Sequence, residues 1–177
     1  MKTQMTHKQA GMALLSAALY FVLALLVSAS AVGLYFYISD NNAAAAAREN
    51  LTLMGANIAS RFEGESGYGA LDTNGQQLVI DLRVAPRSLV QGSTVVNEFG
   101  GQYTFGSNNG GITGGAADAY MEITTNEIPQ DVCLTLSTSG IEQWQQIEIN
   151  GTLVDGTMTE ARAECVDGAN TLVFTRR

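Results

Sequence analysis

The chain has 177 residues, with 9 basic against 17 acidic side chains and a net charge of −8. That balance argues against nucleic-acid or anionic-lipid binding, since either needs a basic patch. The single histidine is His7, at the extreme N-terminus, so little imidazole chemistry is on offer.

The chain opens with a short basic leader, residues 1–11, carrying Lys2, His7 and Lys8. Between Lys8 and Asp40 there is no Asp, Glu, Lys or Arg, and the run Met12 to Ile38 is almost wholly apolar. It exceeds the roughly 20 residues a helix needs to cross a bilayer. The basic side is expected to stay in the cytoplasm. A secretory signal has a shorter apolar region, roughly 7–15 residues, followed by small residues at the cleavage site. Here the change of character comes before the apolar run, at Ala10-Gly11-Met12. Cleavage there would leave the hydrophobic helix on the mature protein; the other reading is an unprocessed N-terminal anchor. Loss of residues 1–11 removes two lysines and no acids, leaving 7 basic and 17 acidic side chains and a charge of −10.

From Asp40 the pattern becomes one-sided. Ala43, Ala47, Leu51, Met54, Ile58 and Phe62 fall on one helical stripe, with Asn41, Asn42, Arg48, Glu49, Asn50, Asn57 and Arg61 off it. No proline lies between Met12 and Phe62, and Ala43 to Ala47 is an alanine run of the highest helix propensity. One continuous helix of about 50 residues, about 75 Å long, is therefore expected to end near Gly64. The remainder reads mainly as strands and loops. Gln77–Val84 is an apolar element of ambiguous type, stopped by Pro86. Gln102–Phe105 and Ala119–Thr125 are β-rich, and the turn Asn108-Asn-Gly-Gly111 between them suggests an antiparallel pair. Pro129 suits the first turn of a short helix running to Leu136. Gln146–Ile149 and Thr171–Thr175 read as two further strands. The expected fold is α+β: a long N-terminal helix, apolar then amphipathic, packed on an antiparallel sheet with one short helix.

Cys133 and Cys165 both follow the apolar run. On the oxidising side of a membrane a thiol pair usually becomes a disulfide. A metal site would need four ligands at short spacings, and neither a second cysteine pair nor a nearby histidine is present. Glu63, Glu65, Asp72 and Asp118 are the carboxylates that could form an acid–base pair; on so acidic a surface they are read as solvating charges. The sequons at Asn50 and Asn150 are read as chance, and Trp144 as a core residue rather than a recognition residue.

The Gly11/Met12 junction, the helix exit Phe62-Glu-Gly-Glu-Ser-Gly-Tyr-Gly69, Asn97-Glu-Phe-Gly-Gly101, Ile128-Pro-Gln-Asp-Val-Cys133, Cys165 and the closing Asn170-Thr-Leu-Val-Phe-Thr175 together resemble a type IV pilin. The likeness is to the type IVb group, and within it to the PilS-like major pilins of conjugative thin pili. The resemblance implies a leader over 1–11, a membrane-spanning and filament-core half-helix over 12–39, and a head over 40–177, periplasmic and then extracellular. It implies cleavage after Gly11 by prepilin peptidase and N-methylation of Met12. It also implies a Cys133–Cys165 disulfide bounding the variable surface. The implied partners are copies of the same chain in a helical filament, the peptidase, an inner-membrane platform and ATPase, and a recipient-cell receptor. No cofactor, metal, nucleic acid or catalytic residue is implied. One position departs from the pattern: the fifth mature residue, Glu in most members, is Ser16. The glutamate is thought to pair with a neighbour's N-terminal amine, and an unpaired charge in an apolar bundle would cost several kcal/mol. Ser16 avoids that cost and loses the charge registration. The other readings are a minor or tip pilin, a pseudopilin of a secretion system, and an unprocessed envelope protein.

Overall fold

The computed structural model describes residues 6–110, 116, 118–139 and 141–177, with the side chains at 6–17, 29, 31–40 and 141 excepted. The first helix, α1, runs Thr6–Arg61. The chain divides into two compact units, Met1–Asp40 and Asn41–Arg177, each taken by itself below.

In the first unit, Leu19, Tyr20, Phe21, Val22, Leu23, Leu25, Leu26 and Val27 are 49–73 % exposed. The two hydroxyls described among them turn back onto the helix: Ser28 donates to the Ala24 carbonyl (2.7 Å) and Ser30 to that of Leu26 (2.8 Å). A hydroxyl bonded within its own helix can sit in apolar surroundings without an orphaned donor. Among the described residues no helix is long and apolar enough to cross a membrane; the expected span, 12–39, has most of its side chains outside them.

The second unit is built on a seven-stranded, wholly antiparallel sheet in the order β1-β2-β3-β4-β7-β5-β6. The strands are β1 (Val90–Gln91), β2 (Thr94–Val96), β3 (Gln102–Asn108), β4 (Tyr120–Ile128), β5 (Gln146–Ile149), β6 (Thr152–Val154) and β7 (Asn170–Arg176). The two expected pairs of strands fall in β3–β4 and in β5–β7. Period-two alternation points one face inward, and the registers align it into rows. Phe105, Ile123, Phe174, Ile147 and Val154 are successive cross-strand partners, as are Val95, Tyr103, Thr125, Leu172 and Ile149. All ten are buried.

The amphipathic part of α1 closes this face. Ala47, Leu51, Met54 and Ile58 are buried in the same core cluster as the sheet rows, with Phe62 partly buried against it. Arg48, Glu49 and Arg61 are exposed, as their places off the stripe require. Gly55 completes the contact: a Cβ there would lie 2.7 Å from Cη2 of Trp144. Trp144 is itself buried and packs on Phe174 with ring centroids 5.3 Å apart. The helix ends where expected, with a last backbone bond from Phe62 N–H to Ile58 (3.0 Å) and Gly64 at φ +93°.

The ambiguous segment Gln77–Val84 proves to be the end of a second helix, α2 (Ala70–Asp81). Packing against β3, rather than propensity, decides its type. Asp72 accepts from the Ser107 N–H (2.6 Å) and hydroxyl (2.7 Å), and Gln76 accepts from Val95 N–H (3.0 Å) while donating to the Tyr103 carbonyl. Gly75 faces the Phe105 backbone so closely that a Cβ would collide with it. The expected short helix is α3 (Gln130–Thr138), entered from Pro129 at its N-cap. One more helix, α4 (Met158–Glu164), completes the unit.

Candidate assembly and recognition surfaces

Gly11, Met12 and Ser16, the expected processing and register residues, have side chains outside the described residues. Cys133 and Cys165 are brought together. They form a disulfide with Cα atoms 5.9 Å apart, joining the first turn of α3 to the C-cap of α4. Both are buried. The cross-link bounds a segment containing most of α3, then β5, β6 and α4.

Several side chains hold that segment to the sheet. The β5–β6 hairpin turns through Asn150 (φ 52°) and Gly151 (φ 86°), the two-residue, positive-φ loop that antiparallel strands favour. Asn150 donates to the Glu164 carbonyl (2.9 Å) and to Asn170 Oδ1 (3.0 Å), and its own Oδ1 accepts from Thr171 N–H (2.9 Å). Asn170, fully buried, donates to the carbonyls of Ile128 and Val166 (both 3.0 Å) and accepts from Val166 N–H (2.9 Å). At the start of α4, Thr157 caps Glu160 N–H (3.4 Å), Glu160 reaches back to Asp155 N–H (2.7 Å), and Asp155 accepts from Thr157 N–H (2.7 Å). Those bonds, led by the Thr157 backbone N–H, hold the Asp155 carboxyl below the ordinary carboxylate range. Outside this frame the segment shows solvent Leu153 and Met158, with Val166 just beyond Cys165. Trp144 is spent on the core.

A second surface lies on α1. Ala44, Ala45, Arg48, Glu49, Thr52, Leu53 and Ala56, with Asn41 and Thr135 of α3, line an open groove of about 580 Å³. Leu53, 46 % exposed, is its large apolar side chain. From the next loop Gln143 donates to Thr52 Oγ1 (2.6 Å), tying α1 to the disulfide-bounded segment.

The quoted sequence motifs find structural work. Asn97 is buried and makes four bonds: it donates to Thr125 Oγ1 (2.9 Å) and the Asn126 carbonyl (2.6 Å) and accepts from Phe99 N–H (3.0 Å) and Gly101 N–H (2.8 Å). The neighbouring Glu98 accepts from Tyr103 O–H (2.8 Å) and from Asn50 Nδ2 of α1 (2.5 Å). Burial, then the charge and hydrogen bond of Glu98, push the Tyr103 hydroxyl far above its ordinary range. Sequence reasoning missed this Asn50–Glu98–Tyr103 link, because nothing in the spacing brings the three together. The four carboxylates weighed for acid–base work are not assembled into a site. Asp72 is engaged by Ser107, Asp118 lies beside Gly67 and Gly69, and Glu63 and Glu65 are exposed in the turn after α1. Among the described residues no cluster of three or more His, Cys, Asp or Glu side chains is placed to hold a metal ion.

This arrangement has clear relatives. The family model described as PilS N terminal matches residues 41–177. The type IVb pilin from Salmonella typhi is similar in structure, with a TM-score of 0.61 and 25 % identity over 75 % of this chain and 99 % of that one. TcpA, a type IV pilin from Vibrio cholerae El Tor, shares the fold at a TM-score of 0.56 and 18 % identity, over 77 % of this chain and 99 % of its own. No curated protein sequence matches. With more than half its length matched by the family model, and with a long helix, antiparallel sheet and late disulfide in place, the chain belongs to the PilS N-terminal family and is a type IVb pilin.

Proposed function

We propose that this chain is the structural subunit of an extracellular type IVb pilus serving cell–cell contact in conjugation or adhesion. It is made as an inner-membrane precursor, cut between Gly11 and Met12 by prepilin peptidase and methylated on Met12. A platform protein and ATPase then assemble it into a filament of identical copies. One contrast carries the reading. The Asn41–Arg177 unit closes a core of its own, and its described buried side chains leave no polar atom unpartnered. The neighbouring run Leu19–Val27 is apolar and exposed. Apolar area on that scale stabilises by roughly 25 cal/mol per Å² once covered. Lipid covers it before assembly, and the same run of neighbouring copies covers it afterwards.

The test is the intact mass of the protein sheared from cells that carry its native system. A chain beginning at Met12, heavier by one methyl and lighter by two hydrogens, supports processing, methylation and cross-linking together. Beyond Lys8 the chain has no lysine, so cleavage after Gly11 leaves the N-terminal amine as its one primary amine. Methylation makes even that secondary, and amine-specific labelling reads the change independently. A full-length mass confined to membranes overturns the proposal. One residue favours a second reading, a minor or tip subunit: Ser16 stands where the usual glutamate would set register. Deleting the gene separates the two, since loss of all filaments marks a major pilin and fewer or shorter filaments a minor one.

A further inference from the structure

The sequence holds three Asn-Gly pairs, at 74–75, 109–110 and 150–151. In a flexible chain such a pair is the one most prone to spontaneous deamidation, because glycine has no side chain to shield its nitrogen. The Gly nitrogen attacks the Asn side-chain carbonyl carbon, a C–N bond forms, and ammonia leaves from a cyclic succinimide. Water then opens either carbonyl, giving aspartate or isoaspartate. The reaction needs the amide free to swing toward the backbone and the following nitrogen free to attack.

The fold treats the three pairs differently. Asn150 is held by three side-chain bonds, to Glu164, Asn170 and Thr171. At 109–110 the attacking nitrogen is engaged, since Gly110 N–H donates to Asn108 Oδ1 (2.8 Å). Asn74 has neither protection. Its side chain is exposed and makes no hydrogen bond or ion pair among the described residues. Its backbone leaves helical geometry in the middle of α2 (φ −147°, ψ 40°), so the regular ladder that stiffens a helix is broken there.

We propose that Asn74 is the site at which this protein spontaneously deamidates, gaining a negative charge on α2 while Asn109 and Asn150 are protected by the fold. The glycine that makes Asn74 reactive is fixed by packing, because a Cβ at position 75 would meet the Phe105 backbone. The vulnerable pair is thus a consequence of seating α2 on β3. The product also matters to the fold. Aspartate keeps the backbone length, whereas isoaspartate adds a methylene just before Gly75 and Gln76, whose side chain bonds both β2 and β3.

The experiment incubates the purified full-length chain in detergent at mildly alkaline pH and maps its peptides by mass. A chemically denatured sample serves as reference. Replacement of the amide by a carboxyl group, with isoaspartate content, is expected at Asn74 in the folded protein and at all three sites in the denatured one. Asn74→Gln is expected to remove nearly all conversion from the folded sample. Conversion of Asn109 or Asn150 in the folded protein at the rate of Asn74 would overturn the proposal. So would a folded sample in which Asn74 survives while its denatured counterpart converts.

Discussion

Reducing the Cys133–Cys165 bond is expected to lower the melting temperature of the head by about 13 °C. The bond closes a loop with a sequence separation of 32. The chain-entropy relation for such a loop gives about 3.7 kcal/mol of stabilisation at 25 °C, acting on the unfolded state. For a unit spanning residues 41–177, unfolding entropy at about 2.1 cal/mol/K per residue sums to roughly 0.29 kcal/mol/K, and dividing gives the shift. The bond is buried, so it is to be reduced in denaturant and the chain refolded under reductant. Circular dichroism at matched pH then compares the oxidised and reduced forms. The loss should also be local. β5 keeps its four-pair register with β7 without the bond, and Gln130 still donates to the Cys165 carbonyl (2.9 Å). Amide exchange should therefore rise first in α4 and the β5–β6 hairpin, while β3, β4 and β7 stay protected. A shift under about 5 °C, or faster exchange spread evenly over the sheet, would refute the reasoning.

Gly55→Ala places a methyl 2.7 Å from Trp144; it should cost roughly 1–3 kcal/mol and shift the fluorescence of this sole tryptophan, and an unchanged spectrum would count against the contact. Asn170→Ala strands the Val166 N–H and the Ile128 carbonyl, with a cost of about 3 kcal/mol at about 1 per lost bond, read by urea unfolding. Tyr103 holds in the folded state a proton that the unfolded chain releases above about pH 10. Stability is therefore insensitive to this group below that pH and falls as pH rises through it. Tyr103→Phe should flatten that alkaline slope while costing about 1.5–3 kcal/mol at neutral pH from the lost bond to Glu98. Asp155 has the opposite sign: its lowered carboxyl stabilises the start of α4 above the ordinary carboxylate range. That contribution is lost as pH falls below about 4, and Asp155→Asn should remove the dependence from α4 amide exchange.

What the sequence disclosed follows from how local each signal is. The stripe Ala47, Leu51, Met54 and Ile58 announces both a helix and its buried face, because a periodic pattern records which side meets the core. The strands Gln102–Asn108, Gln146–Ile149 and Asn170–Arg176 were legible for the same reason. By contrast α2 hides behind Asn74 and Gly75, two residues that read as a turn. The packing that overrides them is the approach of Gly75 to the Phe105 backbone and the bonds from Asp72 and Gln76. The short strands β1, β2 and β6 are too brief to show alternation, and α4 is a helix of seven residues whose cap is its main support. At the candidate surfaces the disulfide was accessible from cysteine count and compartment. The Asn50–Glu98–Tyr103 link was not, since it joins residues whose neighbourhood exists only after α1 has packed on the sheet.

The same geometry bears on how copies of this chain can associate. A long, flat edge strand is a template for pairing with another sheet. Here the seven- and nine-residue strands β3, β4 and β7 lie inside the sheet, and the edges fall to β1 and β6, of two and three residues. Edge-to-edge extension of the head would gain few hydrogen bonds. The head's acids also outnumber its arginines, which opposes close lateral stacking at low ionic strength. Both features act against polymerisation through the sheet and leave the apolar helical run as the favoured means of association. Head domains freed of residues 1–40 should therefore stay monomeric at concentrations where the full chain associates. Sedimentation of the two side by side measures the difference, and heads that assemble alone would place the driving contact in the sheet rather than in the helix.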